Sequence, residues 1–135
     1  MVFIRQRITI VQIRKPADQN VNRELQWLGN SLGLFNLRDK DKSCFRVFIE
    51  LLKSAKSHKM ITSDELAVRL SLSRGTIIHH INRLIESGLV VHEGNTYTLR
   101  VENLRNLIEE LEKDIKRATE DLKEVAKDID NRLGL

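Results

Sequence analysis

Residues 65–90 read ELAVRLSLSRGTIIHHINRLIESGLV, two amphipathic runs joined by a turn of three residues. Leu66 and Leu70 mark the apolar side of the first run, and Thr62 with Glu65 has the spacing of a capping box at its start. Ser73 is of the residue type that caps a helix N-terminus, and Gly88 closes the second run in the left-handed conformation that glycine adopts without strain. With Ile77 at the centre of a buried face, Ile81, Leu84 and Gly88 fall within about 40° of it at 100° per residue, while Gly75, His79, Asn82 and Glu86 lie nearly opposite. One face of this helix is core and the other is free. His80 flanks the buried face about 60° from Ile77, the place of a packed, hydrogen-bonded histidine.

Working outward, Cys44, Phe45, Phe48, Leu51, Leu52 and Ala55 form one helical face, with a helix start placed at Asp39 and Asp41. Cys44 reads as a small buried hydrophobe. After Gly88, LVVHE and TYTLR are β-prone runs around Gly94-Asn95, a dipeptide suited to a tight hairpin turn. In residues 3–13, FIRQRITIVQI, apolar and polar positions roughly alternate, which predicts a strand ended by Pro16. A lone strand is unstable, so it is expected to pair with a sheet edge, either the hairpin's or the same strand of a partner. Val21, Leu25, Leu28 and Leu32 then make a short helical stripe capped by Asp18 or Asn20 and ended by Gly33.

From Glu102 to Leu133 the pattern is one helix of about 48 Å at 1.5 Å per residue. Leu104, Ile108, Leu111, Ile115, Ala118, Leu122, Val125 and Ile129 are spaced alternately by four and three, the narrow stripe of a coiled-coil seam. Asp114, Asp121 and Asp128 flank that seam with no basic counterpart at Thr119 or Ala126, which leaves the orientation of the paired helices open. Self-association along the seam is the expectation; packing of the helix on its own domain, against Val21, Leu25 and Leu28, is the other arrangement the pattern permits.

Composition narrows the function classes. Of 135 residues 41% are hydrophobic, 31% charged and 4% aromatic, enough for one packed domain with exposed charged helices. Residues 1–100 carry a net charge of +7 and residues 101–135 one of −3, so a basic body bears an acidic tail. A single cysteine forbids an intramolecular disulfide, four histidines lack metal-ligand spacing, and a reducing cytoplasm fits best. The Asp39-Lys40-Asp41 segment reads as a helix start in place of a cation site. No apolar run approaches the roughly 18 residues of a membrane span, and the arginines at 5, 7 and 14 interrupt what a signal peptide keeps apolar. There is no glycine-rich phosphate loop and no nucleophile with a paired base and acid, so no enzyme, cofactor or metal is expected.

Helix, helix, three-residue turn, helix and hairpin is the order of a winged helix-turn-helix, and residues 65–90 resemble the core of the ArsR and MarR groups of bacterial and archaeal transcriptional regulators. The matching positions are Leu66, Ala67, Leu70, Leu72, Ser73, Thr76, Ile77, His80, Ile81, Leu84, Gly88, Leu89 and Val90. The resemblance covers about 60 residues and implies a recognition helix, here 73–87, entering the major groove of double-stranded DNA. Metal-sensing ArsR members use paired cysteines or histidine-carboxylate sets, and this chain has neither the pair nor any histidine after His92. The free helix face offers Thr76, Ile78, His79, Asn82 and Arg83 to base edges, Arg74 swings out from the first turn, and Ser73 with the first amides sits at a phosphate. The hairpin tip, with His92, Glu93, Asn95 and Tyr97, carries no cation and reads as structural, while Arg100 at its base is placed to reach a phosphate.

The sequence thus predicts a mainly α fold with a small β component. An N-terminal strand and helix extension (1–38) leads into a winged helix-turn-helix (39–100), and a C-terminal dimerisation helix (101–135) follows. It reads as a sequence-specific, homodimeric DNA-binding regulator, with no membrane partner and no small-molecule effector assigned. The alternative is a winged-helix module that binds protein, its coiled coil pairing with a different chain.

Overall fold

A computed structural model describes residues 2–35 and 42–135; the helix start expected at Asp39 and Asp41 lies outside them. Five helices and a small antiparallel sheet follow in the order α1 (Val21–Ser31), α2 (Ser43–Lys56), β1 (Ile61–Thr62), α3 (Ser63–Leu70), α4 (Arg74–Ser87), β2 (Val90–Glu93), β3 (Thr96–Leu99) and α5 (Leu104–Leu133). The sheet is ordered β1-β3-β2, with Ile61 opposite Tyr97 and Val90 opposite Leu99. Two-residue β1 carries too little sequence for a period-2 signal; it is a strand because β3 offers it an edge. This is a mainly helical winged helix-turn-helix with a long C-terminal helix.

One core unites these elements. Val47, Phe48 and Leu51 of α2, Leu66 of α3, Ile77, Ile81 and Leu84 of α4, and Leu107 of α5 are all sealed from solvent, as is Cys44. Each buried side chain of this size stabilises the fold by roughly 1.5–3 kcal/mol. The caps hold the elements in place: Oδ1 of Asn20, Oγ1 of Thr62 and Oγ of Ser73 accept from the amides of Arg23, Glu65 and Thr76, each three residues on. Asn20, and not Asp18, is therefore the cap of α1.

The expected N-terminal strand is corrected by the structure. Residues 3–13 form neither helix nor strand and bend at Arg5; Gln6 and Ile8 turn partly inward while Arg5, Arg7 and Thr9 are exposed, and the segment joins neither sheet edge of its own chain. It satisfies helix ends instead. The amide of Arg7 donates to Glu86 O at 2.9 Å in the last turn of α4, and that of Val11 to Ser31 O at 2.8 Å at the end of α1. The side-chain amide of Gln6 reaches Ser87 O at 3.2 Å, and the indole Nε1 of Trp27 donates back to Ile13 O at 3.0 Å. Carbonyls at a helix C-terminus have no partner within the helix, so two helix ends compete with a sheet edge for these donors.

Gly88 makes the approach of this arm possible. Its φ is +88°, and a Cβ there would stand 2.1 Å from Nε2 of Gln6. The same Gln6 nitrogen donates to Oδ2 of Asp114 at 2.8 Å, and Asp114 also receives the guanidinium groups of Arg100 and Arg117. The Asp114 side chain is only 4% exposed. The hydrogen bond from Arg100, helped by that from Gln6 and by both positive charges, holds this carboxyl below the usual carboxylate range against the opposing effect of burial. A carboxylate depressed in the fold stabilises it above the unfolded value near pH 4 and loses that contribution as pH falls through the folded value. Asp114→Asn should therefore cost about 1–3 kcal/mol at neutral pH in urea unfolding, and the gap to the parent chain should close as the medium is acidified below the ordinary aspartate range. An equal gap at all pH values would refute the ionic role.

Candidate nucleic-acid interface

The turn from α3 to α4 is short because each residue in it has a structural task. Ser71 is left-handed (φ 54°), the amide of Leu72 returns to Ala67 O at 3.1 Å, and Ser73 caps α4. The guanidinium of Arg46 on α2 donates to Leu70 O at 2.7 Å, satisfying the last carbonyl of α3. Ile77, Ile81 and Leu84 then pin α4 to the core and turn its opposite face outward.

On that outward side stand Arg74, His79 and Asn82, all exposed, with Thr76 and Ile78 half-exposed. Gly75, in the first turn, has nothing within 4 Å of where a side chain would begin, so the backbone there is open to close approach. Arg74 lies 3.7 Å from Oδ1 of Asp64, an exposed pair of the kind worth little in water and readily exchanged for another anion. The hydroxyl of Ser73 donates to Thr76 Oγ1 at 2.8 Å while accepting from its amide, so both side chains are committed to the cap. His80 is buried, its Nε2 2.6 Å from Oγ of Ser43, and serves to join α4 to α2.

Two basic residues are spent elsewhere. The guanidinium of Arg83 turns back toward Gly33 O, 3.4 Å away, on the side of α4 covered by the N-terminal segment. Arg100 does not reach out for phosphate: it is paired with Asp114 and with Glu110 at 3.5 Å. The wing formed by β2 and β3 turns on Gly94, whose φ is +60°, and exposes His92, Glu93 and Asn95 without a cation at its tip. Among the described residues no group of three or more His, Cys, Asp and Glu side chains could hold a metal ion. No described helix is long and apolar enough to cross a membrane.

The eight seam positions differ in burial, with Ile108 exposed and Ile115 half-buried between the inner and outer ones. Leu111 is in the core of its own chain and Leu104 packs against it, joined there by Leu107 and Asp114, which the seam pattern leaves out. Beyond Ile115 every residue of α5 is exposed, including Ala118, Leu122 (69%), Val125 (58%) and Ile129 (49%). The buried face at 107, 111 and 114 is rotated by roughly 45° from the seam at 100° per residue, and a one-dimensional heptad pattern does not separate the two.

Residues 50–91 match a family model described as winged helix-turn-helix DNA-binding, a stretch that runs from the middle of α2 through the first residues of β2. The chain carries a DNA-binding winged helix-turn-helix. No curated protein and no solved structure matches it. With the winged helix-turn-helix in place, the openness of Gly75 gives a specific expectation. Gly75→Ala should raise stability by up to about 1 kcal/mol, since alanine favours the helix and meets no obstacle. It should at the same time weaken duplex DNA binding, because the added methyl stands on the approach side; thermal melting and fluorescence anisotropy on one sample would show the two effects in opposite directions.

Proposed function

We propose that the chain is a sequence-specific transcriptional regulator of the ArsR/MarR type that works in the cytoplasm as a homodimer and sets α4 in the major groove. The observation that carries this reading is the outward face of α4, where Arg74, His79 and Asn82 are exposed beside an open backbone within the segment that matches the DNA-binding family. Arginine suits the paired acceptors of guanine, asparagine the acceptor and donor of adenine, and Ile78 a thymine methyl. The first amides of α4, beside the Ser73 cap, are suited to a phosphate. Arg83 belongs to this set by its place on α4, but its guanidinium is turned toward Gly33 O of its own chain.

The homodimer rests on the distal half of α5. Leu122, Val125 and Ile129 form one apolar line in water, and burying each contributes roughly 1.5 kcal/mol or more. A two-fold pair of recognition helices fits an inverted repeat whose half-sites lie about one helical turn, or a multiple of it, apart.

A cation-free wing favours a second reading, a winged helix that binds protein while α5 pairs with a different chain. Salt separates the two, since neutralised phosphates give a steep fall of affinity with ionic strength. On a site selected from genomic fragments, Arg74→Ala and Asn82→Ala should each cost about 1–3 kcal/mol and relax sequence preference. Unchanged affinity and selectivity in both would remove α4 as the reader. Leu122→Lys with Ile129→Lys should give monomers in sedimentation with only weak, largely nonspecific binding, and because neither residue touches the core the helical content should hold.

A further inference from the structure

Arg74 opens α4, yet its guanidinium is turned to the helix before it. Its Nε stands 3.7 Å from Oδ1 of Asp64, in the first turn of α3. The other acid of that turn, Glu65, lies 3.9 Å from Arg69 on its own helix, so Asp64 is the first-turn carboxylate that faces α4. The neighbours of Arg74 on α4 do not contend for Asp64: the hydroxyls of Ser73 and Thr76 bond each other, and Gly75 has no side chain. Both partners of the pair are exposed, at 72% and 76%, so it lies on the outward surface and not in the core.

The nitrogen that faces Asp64 decides what the rest of the group can do. A guanidinium is a planar fork with Nε at one corner and two Nη at the end. With Nε turned to a carboxylate, both Nη remain to donate in parallel, the pattern that O6 and N7 of guanine accept. A DNA phosphate meets a different situation. It carries a full negative charge, and to take the same guanidinium it must stand close to a second one, whereas the neutral acceptors of a base bear only partial charge. In water the difference is small, because an exposed pair is weak. Docking removes water from around both groups, and the lower dielectric magnifies the difference.

We propose that Asp64 is a positioning residue for base recognition: it holds Arg74 by Nε, aims the two Nη at a guanine in the major groove and turns the guanidinium away from phosphates. Asp64 thereby determines specificity without itself touching DNA. The proposal rests on the reading of Arg74 as a base reader and adds the residue that aims it. An acid at this place weakens binding to every duplex, and what it returns is selectivity, which a regulator needs because nonspecific sites vastly outnumber its own.

Full-length chains and a duplex selected from genomic fragments test this by fluorescence anisotropy. The base pair at which Arg74→Ala loses preference is replaced in turn by the others, and the ratio of affinities is the readout. The parent chain should prefer guanine there by about tenfold or more. Asp64→Ala and the isosteric Asp64→Asn should each cut that ratio by about threefold or more while strengthening binding to unrelated duplex, and should leave it unchanged when Arg74 is already alanine. Because Asp64 is exposed and the Thr62 cap of α3 is untouched, helical content should hold. Glu65→Ala removes the same charge from the same turn and should leave the ratio intact. If neither Asp64 variant lowers the ratio, or if Glu65→Ala lowers it equally, the positioning role is overturned and Arg74 stands as the reader. A parent chain without base preference, or one whose preference survives Arg74→Ala at every position, overturns both.

Discussion

Asp114 is nearly excluded from water, yet it is charged, and the groups that make this tolerable come from three separate places: Arg100 at the foot of the wing, Arg117 one turn along the same helix, and Gln6 on the N-terminal arm. A carboxylate taken out of solvent without such partners would cost several kcal/mol, so the network holds only if wing, long helix and arm are all in place together. The direction in which α5 leaves the domain is set by this network together with Leu104, Leu107 and Leu111, which pack in the same core. Gly88 is its neighbour condition, since any side chain there would displace Gln6.

The recognition helix shows a division of labour along a single element. Its core side, Ile77, Ile81 and Leu84, is pinned by burial, its start by the Ser73 cap, and its end by Gly88 and the arm amide at Glu86 O. A helix fixed at both ends and along one face presents the remaining face rigidly, which is what selective contact with base edges requires. His80 belongs to the pinning, not to the presenting, through its short contact with Ser43. Arg83, one residue beyond Asn82, is drawn to the opposite task by the Gly33 carbonyl. Adjacent positions on a helix differ by about 100°, enough to give neighbours different roles.

Local chemistry made much of this legible. The caps at Thr62 and Ser73, the left-handed Gly88 and the Gly94 turn are short-range features, and each stands where the residue pattern puts it. The apolar stripes of α2, α3 and α4 likewise named their buried faces, because a period of 3.6 already contains the geometry. The arm failed on the same logic. Alternation in residues 3–13 predicts a strand, but whether such a segment finds a sheet edge or two helix ends is a matter of what lies nearby in space.

What the sequence determined alone, then, is the succession of five helices and a hairpin, the buried faces of α2, α3 and α4, and the caps of α3 and α4, all set by interactions within about four residues of chain. What only the tertiary structure decided are the pairings over long separations: Gln6 with Asp114, Arg100 with Asp114, Arg83 with Gly33, and Ile61 with the strand at Tyr97. It also decided where the seam of α5 stops serving its own core and becomes free, a boundary at Ile115 that an unbroken heptad pattern does not mark. Periodicity reports which side of a helix is apolar; which chain covers that side is set by what the rest of the molecule places beside it.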